Sequence, residues 1–124
     1  PMKILTFVLA ALLAGNGVFM FFDPLGWYEA VPGVPDSGPL NHHFVRDIGI
    51  AFFTASVALA WSELGAGWRA SALAAVFIGG HSLLHFGETI LGHHHDVILN
   101  EIMAVHLPAL LIVAISLVQW RAQT

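Results

Sequence analysis

The stretch Gly79-Gly80-His81-Ser82-Leu83-Leu84-His85-Phe86-Gly87-Glu88 sets three ionisable side chains inside an apolar run from Ala70 to Leu91. His81, His85 and Glu88 stand at i, i+4 and i+7, so a helix through this run presents all three on one face. Imidazoles and a carboxylate at that spacing suit two kinds of chemistry, coordination of a transition metal and proton transfer. Residues of the same types recur nearby. His43 and Asp47 are four apart where a second apolar segment begins, and Glu101 and His106 lie early in a fourth. The last two are five apart, roughly 140° around an ideal helix. Both line one pocket only if that helix is distorted or the pocket is wide, and Pro108 can distort the helix by interrupting its hydrogen bonds. Asn16, Arg46 and His95 are the polar groups expected to surround the site.

Such residues need elements to hold them, and the composition says which. Of 124 residues, 57% are hydrophobic and 10% charged, with a mean hydropathy of +0.79. That balance is far from a soluble domain's and places the chain in a lipid bilayer. There is no cysteine, so thiolate ligands and disulfides are excluded. A formal net charge of -4 argues against nucleic acid as a partner. Pro1 ahead of Met2-Lys3 reads as a tag remnant, and the first apolar run reads as a retained helix rather than a cleaved signal.

A membrane-crossing helix needs roughly 20 apolar residues. Four segments qualify, at about 4–22, 43–62, 70–91 and 97–120, and together they predict an all-α, four-helix transmembrane bundle forming one domain. The second is uncharged only from Ile48 to Ser62, so to cross it draws Asp47, Arg46 and His43 to membrane depth. Lys3, Arg69 and Arg121 all fall on one side, which the positive-inside rule makes the cytoplasm, giving N-in/C-in. Trp61, Trp68 and Trp120 mark that interface, Trp27 and Tyr28 the opposite one. All eight histidines and seven of the eight acids, Glu63 excepted, then lie in the outer half. His81 and His106 are each roughly 15 Å inside the outer ends of their helices. Below them the helices offer only small hydroxyl groups and apolar residues.

Polar groups inside a bilayer turn toward the bundle interior and toward one another, so four helices are expected to feed one cluster. With Asp47, Glu88 and Glu101 ionised and Arg46 pairing with one of them, about two negative charges remain in a low-dielectric site. A divalent cation removes that penalty. Nitrogen and oxygen donors without sulfur suit Fe, Cu, Zn or Mn, as one ion or two, since His85-x-x-Glu88 reverses the Glu-x-x-His of helix-bundle di-metal sites. The ligands expected are His81, His85, Glu88, His43, Asp47, Glu101 and His106. A redox role follows, with a quinone or another small apolar molecule reaching the site through the bilayer, as a metal-dependent membrane oxidoreductase.

Competing readings rest on the same residues. They could form a metal-ion or proton transport path, a hydrogen-bonded network that binds nothing, or a haem site with His81 and His106 as axial ligands. His93 and His94 read as a solvated turn, and the role of His42 is set only by helix phase. Ser71, Ala75 and Gly79 allow a close helix approach below His81. The proline-rich connection from Asp23 to Asn41 is either a lid over the cluster or an ordered linker. Whether the chain acts alone, as a homo-oligomer or with a partner membrane subunit stays open.

At Asn41-x-x-Phe44-x-Arg46-x-x-Gly49, opening the second helix after a Pro/Gly-rich loop, the chain resembles small DoxX-like four-helix membrane proteins. The resemblance implies the four-helix bundle and a structural role for Asn41, Arg46 and Gly49. Some members are linked to quinone-dependent sulfur oxidation. The histidines at 81, 85 and 106 stand outside that pattern.

Overall fold

The structure, a computed structural model, describes residues 1–92 and 95–124, for His95 the backbone only. Helices form because the apolar runs are long and free of internal proline except at Pro108. Four are long and apolar enough to cross a membrane, and among the described residues there is no strand. Helix α1 spans Met2–Phe22, a short α2 spans Pro24–Ala30, α3 spans His42–Trp61 and α4 spans Trp68–Ile90. The last crossing element is composite: α5, Ile98–Glu101, passes through a wide π turn, Ile102–His106, into α6, Leu107–Gln123.

Local chemistry explains the boundaries. Asn41 caps α3 by accepting the Phe44 N–H at 3.0 Å, and Asp23 caps α2 by accepting the Gly26 N–H at 2.9 Å. Between α3 and α4 the chain reverses in a few residues because Gly65 (φ 119°) and Gly67 (φ 71°) adopt left-handed backbone.

Helix α1 packs chiefly on α3 and α4 chiefly on α6, and the two pairs join along α3 and α4. In a bilayer, helices associate through close packing and hydrogen bonds rather than hydrophobic expulsion. The tightest crossing is not at the small residues of α4, where a side chain on Gly79 would meet only Val113, at 3.7 Å. It lies between Gly17 of α1 and Gly49 of α3, and two helix turns further on the Ser56 hydroxyl donates to the Ala10 carbonyl at 2.7 Å. Leu59, Ile78, Ile112 and Ile115 are buried in one apolar core shared by α3, α4 and α6.

The connection 23–41 is folded, and it covers the end of the α1–α3 pair rather than reaching over α4. Trp27 Nε1 donates to Asn16 Oδ1 at 2.9 Å, and the Tyr28 hydroxyl reaches the Gly38 carbonyl at 2.7 Å. That favours the ordered-linker reading over the lid.

Candidate functional site

The polar cluster is built by α4 and by the α5–α6 element. Nδ1 of His85 lies 2.9 Å from Oε1 of Glu101, whose other oxygen is 3.2 Å from the Thr89 hydroxyl. Glu101 is only 5% exposed, the most buried carboxylate among the described residues. A carboxyl oxygen at that distance from Nδ1 favours the His85 tautomer with its hydrogen on Nδ1. One turn deeper, the Ser82 hydroxyl sits 2.7 Å from Nδ1 of His106. His81 stands with its ring centroid 4.6 Å from that of His85, edge-on to Phe52 and stacked near Phe77. Neither of its ring nitrogens, nor Nε2 of His106, is hydrogen-bonded to a described residue.

The π turn explains how Glu101 and His106 share a face despite their spacing. In that turn the Leu107 N–H bonds to the Ile102 carbonyl five residues back, so the helix widens and residue i+5 returns over residue i. Pro108 supplies the reason, since it has no N–H and leaves the Ala104 carbonyl without its usual helical donor. Wide turns of this kind concentrate at functional sites, and non-helical backbone at membrane depth is tolerated only where protein or a cavity accommodates it.

His43, Asp47, Arg46 and Asn16 go elsewhere. His43 Nε2 pairs with Asp47 Oδ2 at 3.2 Å on the surface, their side chains 88% and 56% exposed, and neither joins the cluster. Arg46 donates through Nε to the Phe21 carbonyl at 3.0 Å rather than to a carboxylate, which sets a cation at the C-terminus of α1. Asn16 is taken up by Trp27 and by Met20. Glu88 is half-buried on α4, one turn beyond His85. His93, His94 and the side chain of His95 lie outside the described residues. Among those described, no three His, Asp or Glu side chains gather as a cage for an ion.

A second polar group was missed in the sequence. At the opposite end Gln119 of α6, 4% exposed, donates through Nε2 to Glu63 Oε1 at 2.9 Å and to Ser62 Oγ at 3.1 Å, and accepts from Ser71 Oγ at 2.7 Å. Thr6 of α1 reaches Glu63 at 3.0 Å, so all four long crossing elements meet in one network. The signal was available: Gln119 is the one amide in the apolar run from Leu107 to Trp120. Replacing Gln119 by Leu removes three buried hydrogen bonds, to Ser71, Ser62 and Glu63, and is expected to cost about 1–3 kcal/mol, read as earlier unfolding when the detergent-solubilised protein is titrated with SDS.

The fold and the cluster together define the class, an all-helical chain able to cross a membrane four times with an imidazole–carboxylate cluster toward one end. Beyond the class no particular relative emerges: neither a protein-family model, nor a curated protein, nor a solved structure matches the chain.

Proposed function

We propose that this is an integral membrane protein that exchanges protons between the water at one membrane face and chemistry inside the bilayer, through His81, His85, Glu101 and His106. The observation that carries the reading is the His85–Glu101 pair, with its carboxylate 5% exposed. Burying these groups at membrane depth is costly, and such groups usually mark a functional path. Imidazole is the side chain suited to giving and taking protons near neutral pH. Buried Ile78 lies between Ser71 and Ser82 on α4, and buried Ile112 and Ile115 lie between His106 and Gln119 on α6, which favours local exchange over conduction across the bundle. Lys3, Arg69 and Arg121 share the opposite end with three tryptophans, which supports termini in the cytoplasm and the cluster on the outer side.

The test is infrared spectroscopy on protein in lipid nanodiscs, with isotope-labelled histidine, while the outer pH is stepped from about 5 to about 8. Linked changes in imidazole and carboxylate bands are expected, and they should vanish in Glu101→Gln. Bands that stay fixed across the range would overturn the reading.

A second reading, a transition-metal centre at the same histidines, is favoured by one feature. His85 is held through Nδ1 by Glu101 and His106 through Nδ1 by Ser82, the outer support that metal-binding imidazoles use. It requires the rings to draw closer than they stand here. Stoichiometric Fe, Cu, Zn or Mn that survives a mild chelator wash and disappears in His81→Ala would establish it.

A further inference from the structure

Between α4 and α6, on the flank of the bundle, lies a groove of about 490 Å³ bordered by Val76, Gly79, Gly80, Ser82, Leu110 and Val113. Its existence follows from two missing side chains: a Cβ on Gly80 would meet nothing within 4 Å, and one on Gly79 only Val113. Val76 and Leu110 are largely exposed, so the groove opens sideways toward lipid rather than toward water. The lining contains no charged residue. Its polar feature is the Ser82 hydroxyl, which is 2.7 Å from Nδ1 of His106.

The geometry points to this groove as the binding site for a neutral, membrane-dissolved ring compound that carries a hydroxyl or carbonyl oxygen on an apolar body. The inference rests on the proton-exchange reading and names what stands on the bilayer side of that exchange. The volume falls within the range of small-molecule sites, roughly 300–1,000 Å³, which are apolar with a few placed polar groups. Absence of charge in the lining selects a neutral molecule, because a buried ion without a partner is costly. The bare backbone at Gly79 and Gly80 offers a flat floor that a ring can approach closely. A lipid acyl chain fills the same space but brings nothing to Ser82 and His106. A ring-borne oxygen can hydrogen-bond there, beside the buried cluster.

The experiment uses the full-length protein in nanodiscs and a diazirine-bearing alkylphenol as the probe. Light-driven labelling is expected in the peptides covering 75–83 and 109–113, displaced by unlabelled alkylphenol and not by hexadecane. Gly80→Leu fills the groove with no clash at its Cβ and should lower labelling roughly 10- to 200-fold, the discrimination that bulk gives in an apolar pocket. Ser82→Ala keeps the shape, loses the hydroxyl and should lower it about tenfold. If Gly80→Leu does not fold, Leu83→Trp occupies the same space from an exposed wall position. Displacement by hexadecane as effective as by alkylphenol, or labelling unchanged in all these variants, would overturn the proposal and leave a lipid-filled cleft. Infrared bands on the same samples separate the two ideas. Labelling in the groove with bands that never move with pH would sink proton exchange and keep the ligand site; moving bands without groove labelling would do the reverse.

Discussion

Gly17→Ala is expected to destabilise the bundle at or above the top of the roughly 1–3 kcal/mol seen for overpacking. A Cβ there would lie 2.5 Å from the Gly49 carbonyl oxygen and 2.9 Å from the Phe53 nitrogen. Both are backbone atoms inside a helix, so relief requires α1 and α3 to separate, and that pair is the most extensive packing in the fold. Separation also stretches the Ser56 bond to Ala10 and loosens the layer around Leu13 and Phe52. The contrast is internal to the protein. Gly15 on the same helix and Gly80 on α4 have nothing within 4 Å of a Cβ position. Gly15→Ala and Gly80→Ala should therefore be neutral or stabilising by up to about 1 kcal/mol, the helix propensity difference. SDS titration of the three variants reads the result directly, and equal stabilities would show that the Gly17–Gly49 approach is not a determinant of the fold.

That glycine pair shows where reading the sequence succeeds and where it stops. Length and hydropathy made the four crossing helices legible, because a bilayer demands long uninterrupted apolar runs whatever their neighbours. The same reasoning gave His81, His85, Glu88 and His106 overlapping depths, and it offered Pro108 as a source of distortion between Glu101 and His106. Helix pairing was not legible, since small residues occur on every helix and only three-dimensional register decides which pair meets. Gly17 and Gly49 make the close crossing, while Gly79 borders a groove. For the same reason His43 and Asp47 were expected to face inward: depth follows from position along a helix, but facing follows from rotation about its axis. The rotation of α3 is set by Val45, Gly49 and Phe52, all buried, which turns His43 and Asp47 outward to each other. Gln119 escaped notice for a different reason. An amide without charge barely changes a hydropathy profile, yet buried among Ser62, Glu63 and Ser71 it ties α6 to α4 and to the α3–α4 turn, which Thr6 links to α1.

Glu101→Leu should have the larger effect on function and a measurable one on structure. The substitution keeps bulk at a position 5% exposed while removing the acceptor of both His85 and Thr89. With the carboxylate present, the tautomer of His85 with its hydrogen on Nδ1 is favoured. Without it that preference is lost, and nitrogen-15 spectra of the imidazole should change from one dominant tautomer to a mixture. Loss of such an orienting partner typically costs on the order of 10- to 100-fold in activity or affinity, and a similar fall in the rate of pH-dependent band changes is expected here. Thr89→Val, which removes one contact to the other oxygen and leaves the imidazole partner in place, should have a much smaller effect. The ordering is the informative outcome. A purely structural network would lose stability in both variants in proportion to the bonds removed, with His85 keeping its tautomer through other contacts. A proton-exchanging one separates them, because Glu101 faces Nδ1 of His85 while Thr89 bonds to its backbone carbonyl and to the other oxygen of Glu101.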